Sequence, residues 1–222
     1  MRKNYFIGLF FLIVCGYSTL YSQTHTNELW TELGVSSEIV YNLQAEAIIE
    51  TRFQEVGSYI KSISGEVGVS YKLIKPISVG ITYKCTEKNR PQGFFAAHTG
   101  AFTFSYRQKY GNVRVAYRNK FEINRDTYIN EYTDLYPQFE DRNRFKLSYA
   151  RKKAFISPSL SIETFHTGYN QSQFLLSEIR YSCGVDFNLK NKFEASTAYT
   201  YKQSFGKSVN TSIYSISVSK SF

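Results

Sequence analysis

The sequence predicts an all-β chain: an antiparallel transmembrane β-barrel of about 10–12 strands, with short periplasmic turns and longer extracellular loops. Three observations lead there. Apolar and polar residues alternate with period two along most of the chain, as in strands with one face in an apolar medium and the other in a wet one. Short connections alternate with long ones. Aromatic residues, 17% of the chain, recur just before those connections, where ring-bearing side chains favour a membrane interface.

The chain opens with a leader, not a strand. In "MRKNYFIGLFFLIVCGYSTLYSQ", Arg2 and Lys3 precede an apolar run from Tyr5 to Val14. That run is about half the ~20 residues a spanning helix needs, so residues 1–22 read as a secretory signal peptide cleaved near Ser22 and Gln23. Val14 stands before Cys15 where a lipoprotein signal carries a small residue, which argues against lipidation. Residues 23–222 then form a single outer-membrane barrel domain, and the destination is the outer membrane of a Gram-negative bacterium.

The full chain carries a formal charge of +9, about +7 once Arg2 and Lys3 leave with the leader. Export makes nucleic acid a poor partner for this charge. Anionic outer-membrane lipid, lipopolysaccharide and acidic solutes fit better. After the leader only Cys85 and Cys183 remain. Both fall on the apolar face of their strands, with no metal-ligand spacing around them, so free thiols are expected and no metal or cofactor is.

The strands follow in order. Residues 28–35 open the series. In 42–53, Leu43, Ala45, Ala47, Ile49 and Phe53 oppose Gln44, Glu46, Glu50 and Arg52. In 61–73, Ile63, Val67, Val69, Tyr71 and Leu73 oppose Ser62, Ser64, Glu66, Ser70 and Lys72. Segments 77–84, 101–107, 113–118, 144–151, 156–163, 178–189 and 194–202 repeat the pattern, and 212–222 closes it with Tyr214, Ile216, Val218 and Phe222 opposed by serines. Eleven candidates sit awkwardly with the even strand number usual in bacterial barrels. Either 28–35 threads the lumen before pairing, or it lies inside as a partial plug.

The connections "IKP", "GN", "KAF" and "KNK" read as tight turns. The longer loops are "CTEKNRPQGFFAA", "EINRDTYINEYTDLYPQFED", "HTGYNQSQFLLS" and "QSFGKSVN". Tyr71, Tyr106 and Tyr149 precede short turns, while Tyr83, Tyr117 and Tyr201 precede long loops, which predicts two aromatic girdles at opposite rims. A soluble sandwich or lipocalin-like binding barrel would alternate as well, with its apolar face inward. The aromatic strand ends, the loop asymmetry and the terminal Phe222 favour the membrane. Lys220 is placed to snorkel toward the interface.

The last strand, with Tyr214, Ile216, Val218 and Phe222, resembles the C-terminal signal of bacterial outer-membrane barrels. That resemblance implies the barrel-assembly machinery as a partner. The stretches "NELWTELGV", "NLQAEAIIETRF", "GVSYKLIKPISVGITYK" and "RNRFKLSYARK", with Trp30 and Arg52 as the sharper marks, resemble a family of small Bacteroidetes outer-membrane barrels catalogued as domain of unknown function 2490. The resemblance brings no substrate and no catalytic residue.

Turning the polar face inward collects about ten basic and six acidic groups. Arg107, Arg114, Arg118 and Arg144 are the candidate anion contacts. The expected role is structural or interaction work, or a narrow passage for small anionic solutes. A lumen closed by ion pairs between its strands is the simpler reading. A barrel-embedded lipid-modifying hydrolase is the alternative, yet His25, His98 and His166 offer little. His166 lies near Ser161 and Glu163, but those two share a face that His166 does not. No catalytic motif emerges. The acidic, tyrosine-bearing loop 122–141 is the candidate contact for a surface protein partner.

Overall fold

In the computed structural model, which describes residues 24–55, 57–128, 136–149, 154–169, 173–206 and 209–222, the chain is all β. The leader, residues 1–22, lies outside the described residues. The strands are β1 (Thr24–Val40), β2 (Leu43–Gln54), β3 (Tyr59–Ile74), β4 (Ile77–Arg90), β5 (Gly93–Tyr110) and β6 (Val113–Asp126), followed by β7 (Gln138–Tyr149), β8 (Ile156–Tyr169), β9 (Leu175–Asn188), β10 (Phe193–Ser204) and β11 (Val209–Ser221). Each pairs antiparallel with its sequence neighbour, and β1 pairs with β11 to close a barrel. Eleven strands spaced ~4.8 Å apart and tilted by ~40° enclose a backbone cylinder about 22 Å across.

The closing seam settles the parity problem. β1 lies in the wall, neither threaded through the lumen nor folded in as a plug, and it runs parallel to β11 from Thr24↔Val209 to Ser36↔Ser221. An odd number of alternating strands must close on one parallel pair. Parallel pairing is slightly weaker per residue, and side chains reinforce this seam at both ends. His25 Nε2 lies 3.0 Å from Ser212 Oγ, Thr26 Oγ1 is 3.0 Å from Thr211 Oγ1, and Ser36 Oγ is 3.1 Å from Ser221 Oγ. The Phe222 N–H donates to the Ser36 carbonyl at 2.9 Å.

Strands run longer than the alternation alone marked, and several expected loops are consumed by them. "CTEKNRPQGFFAA" becomes the end of β4 and the start of β5, joined through Pro91 and Gln92. Of the loop expected over 122–141, Glu122 to Asp126 belong to β6 and Gln138 to Asp141 to β7, while 129–135 lie outside the described residues. At the opposite end, hereafter the turn end, Tyr41–Asn42, Lys75–Pro76 and Gly111–Asn112 link their strands. Gly111 has φ +58°, the first central position of a two-residue hairpin, where glycine adopts positive φ without cost.

The longer strands also correct the tyrosine girdles. Tyr71, Tyr106 and Tyr149 lie toward the turn end. Tyr117 does not belong to the far rim, because it is paired directly with Tyr106. Tyr83 sits near the middle of β4, opposite Gly100, leaving Tyr201 as the tyrosine of that set close to the loop end. Phenylalanines supply the rest of the loop end: Phe121 stacks on Phe139 and packs against Phe174, with ring centroids 6.2 Å apart in both pairs.

The alternation leaves two possible senses, and the barrel adopts the inverted one. Leu33, Ile49, Val67, Ile81, Phe102, Phe145, Leu160 and Ile216 point outward and are exposed. Among the described residues the buried apolar side chains are Ala97, Phe165 and Ile213, against nine buried polar or charged ones, including Glu28, Lys120, Glu122 and Glu163. A water-soluble barrel places its apolar face inside; this one encloses charge.

Candidate functional site in the lumen

Midway along, the inner wall of β9, β10 and β11 is built from small residues: Gly184, Ser196, Ala198, Thr200, Ser215 and Ser217. Larger inward side chains lean across it from the flanking strands and from the loop-end half of β9. The Arg52 guanidinium sits 4.0 Å over the Trp30 ring, and Arg180 of β9 lies 5.2 Å from the same ring, although β10 and β11 stand between β1 and β9. Arg180 also stacks at 4.2 Å on Phe165, which carries Arg142 at 4.7 Å on β7. Alternating cation and ring give each guanidinium an aromatic partner in addition to its carboxylate: Glu50 for Arg52, Glu178 for Arg180, and Glu122 and Glu163 for Arg142.

Ion pairs carry this belt around the remaining wall. Arg142 reaches Glu122 at 3.0 Å and Glu163 at 3.2 Å. Lys120 bridges Glu122 at 3.1 Å and Glu66 at 3.4 Å. Glu50 takes Lys84 at 3.0 Å and Arg52 at 2.9 Å. Glu66 and Lys84 are direct cross-strand neighbours, and this contact of register returns the belt to Trp30. Half-buried pairs of this kind satisfy charges that an apolar lining would leave stranded.

Despite the belt, the lumen is not filled. A cavity of about 1020 Å³ runs from Arg90, Asp126 and Gln138 at the loop end to Ser159, Asp186 and Ser217 toward the turn end. A second space of about 40 Å³ is lined by Arg107, Ser105 and Ala116. The two share Arg118, Arg144 and Lys146 as lining, so three cations form the partition between them. Arg118 is held by Glu163 at 2.9 Å and Lys146 by Asp186 at 3.2 Å. Arg107, Arg114 and Arg144 enter no ion pair with a described residue. This wall of β5–β7 therefore presents net positive charge to the water it encloses.

Of the four candidate anion contacts, the fold brings together Arg107, Arg118 and Arg144. Arg114 stands apart, exposed near the turn-end rim and lining neither space. Arg142, Lys120 and Glu122 escaped the sequence reading because the strands there appeared to end sooner. Ser161 and Glu163 line the cavity, whereas His166 pairs with Asp141 outside, so the histidine trio is not assembled. His25 and Ser212 meet on the outer wall, but Ser212 is buried and also bonded to the Tyr199 hydroxyl at 2.9 Å. Cys85 and Cys183 are free thiols on separate strands. No group of His, Cys, Asp and Glu able to hold a metal occurs among the described residues.

A family model described as protein of unknown function (DUF2490) matches residues 27–212. That span takes in the belt, the cation partition and nearly all of β1, but only the start of β11. No curated protein and no solved structure matches the chain.

Proposed function

Because the chain belongs to the DUF2490 family of proteins of unknown function, we propose its role from its own geometry: an outer-membrane β-barrel whose lumen is a narrow passage for small anionic solutes. The observation that carries this reading is the partition of Arg118, Arg144 and Lys146 between the large cavity and the small space beyond it. An anion moving along the lumen exchanges its water for guanidinium and ammonium donors there, while a cation is repelled by Arg144, the member of the three with no ion pair to a described residue.

The membrane setting is supported by the outward apolar face and by strand length. The shortest strands have 12 residues and β5 has 18, against the ~9–11 a tilted strand needs to cross a bilayer. An exposed apolar band of this extent is incompatible with a freely soluble monomer. In this setting the leader directs export, Tyr214, Ile216, Val218 and Phe222 present the assembly signal, and lipopolysaccharide surrounds the loop end.

The test is single-channel recording of residues 23–222 in planar bilayers, using material whose gel mobility shifts on boiling. Discrete steps with anion preference that weaken or reverse in Arg144→Glu are expected. A folded but electrically silent protein contradicts the passage and moves the role to the outer loops and their partners.

A further inference from the structure

Several cross-strand pairs inside the barrel break the rule that like charges avoid facing each other, among them Lys120 with Arg142, Glu122 with Glu140 and Lys202 with Arg180; two further pairs stand on opposite walls. On one wall Glu32 of β1 is paired directly with Glu50 of β2. On the other, Arg118 of β6 is paired directly with Arg144 of β7. In each pair one member is neutralised: Glu50 by Arg52 and Lys84, and Arg118 by Glu163. In each pair the other member, Glu32 or Arg144, enters no ion pair with a described residue.

Glu32 and Arg144 face one cavity, since both line the larger space. They stand on opposite sides of it: going round the barrel, four strands separate β1 from β7 in one direction and five in the other. Their heights match as well. Glu32 lies two residues toward the turn end from Trp30, and Arg144 lies two residues toward it from Arg142, where Trp30 and Arg142 belong to the same belt. Across a backbone diameter of about 22 Å, a Glu and an Arg reaching inward leave a gap of roughly 10 Å. An ammonium and a carboxylate a few ångströms apart, each with one hydrogen-bond length of ~3 Å to the wall, span such a gap.

We propose that the lumen holds small zwitterions, of the size of an amino acid or dipeptide, with the ammonium on Glu32 and the carboxylate on Arg144. The inference takes the charged lumen of the proposed passage as its site and narrows the anionic solute to one that also carries an ammonium. Such a molecule removes both repulsions together, which neither a simple anion nor a simple cation does. Glu50 and Arg118 are already satisfied and act as the like-charged neighbours that keep Glu32 and Arg144 available.

The experiment is calorimetric titration of folded residues 23–222 in detergent with glycylglycine and with N-acetylglycylglycine, which keeps the carboxylate and lacks the ammonium. Wild type is expected to bind glycylglycine more tightly. Glu32→Gln is expected to weaken glycylglycine about tenfold without weakening the acetylated form, and Arg144→Gln to weaken both. Heat-shifted gel mobility establishes that each variant is folded. Equal affinity for the two peptides, or indifference of glycylglycine to Glu32→Gln, overturns the inference. Glu32-dependent binding by a protein silent in bilayers upholds this site while removing the passage, so the two readings fail separately.

Discussion

Trp30 is the sole tryptophan of the chain, and it stands where two guanidiniums meet one ring. Its indole N–H donates to Glu28 at 2.8 Å, which fixes the ring across the small-residue wall. Arg180→Ala removes the cation shared by Trp30 and Phe165, and the expected cost is about 1–2 kcal/mol. The same variant is expected to shift the tryptophan emission to the red as water reaches the ring, a change read directly by fluorescence. Gly184 sets the other limit of this wall. A Cβ there would lie 2.8 Å from the Ala198 Cβ and 3.0 Å from the Thr197 carbonyl oxygen. Backbone cannot yield as a flexible side chain can, so Gly184→Ala is expected to lower stability by ~1–3 kcal/mol in urea unfolding. Trp30 and Arg52 stood out in the sequence. Their partnership with Arg180 did not, because nothing in a linear pattern says which strands face one another across a lumen.

At the scale of the element, β1 carries the architecture. Its residues alternate like those of any other strand, so the sequence showed a strand and left its place open. The parallel direction follows from ring closure, a property of the whole set of strands. Disulfide cross-linking reads it: in a background without Cys85 and Cys183, paired cysteines at Thr26 with Thr211, and at Ser36 with Ser221, are expected to join. Cross-linking of Thr26 with Ser221 instead would mean antiparallel closure. The β6–β7 pair shows why strand ends were hard to see. Asn119, Asp141 and Asn143 point outward with Phe121 and Phe145, interrupting the apolar face. Both Asn119 and Asn143 donate to the Asp141 carboxylate, and the Tyr117 hydroxyl donates to Asn143 at 2.7 Å. Polar residues at outward positions read as loop, yet here they satisfy one another within the wall. Asn143→Ala leaves the Tyr117 hydroxyl without this acceptor and removes one of the two amide donors to Asp141, and the expected loss is ~1–3 kcal/mol in the same unfolding measurement.

For the whole molecule, the decisive property is the sense of the barrel. Period two in a sequence defines two faces but not which one is enclosed. The all-β class and most of the strand order were therefore legible, while the interior was legible only as a list of charges. Their arrangement into a belt, a cation partition and two opposed like-charged pairs depends on register, which residues such as Glu32 and Arg144 do not announce. The proposed passage requires a charged, wet lumen inside an apolar wall that faces lipid. The most direct test is a single-cysteine scan of β10 from Ala195 to Thr200, in lipid vesicles and in the same cysteine-free background. A charged, water-soluble thiol reagent is expected to label positions 196, 198 and 200, leaving 195, 197 and 199 to a lipid-soluble one. Labelling with the opposite alternation, or with none, would contradict the account.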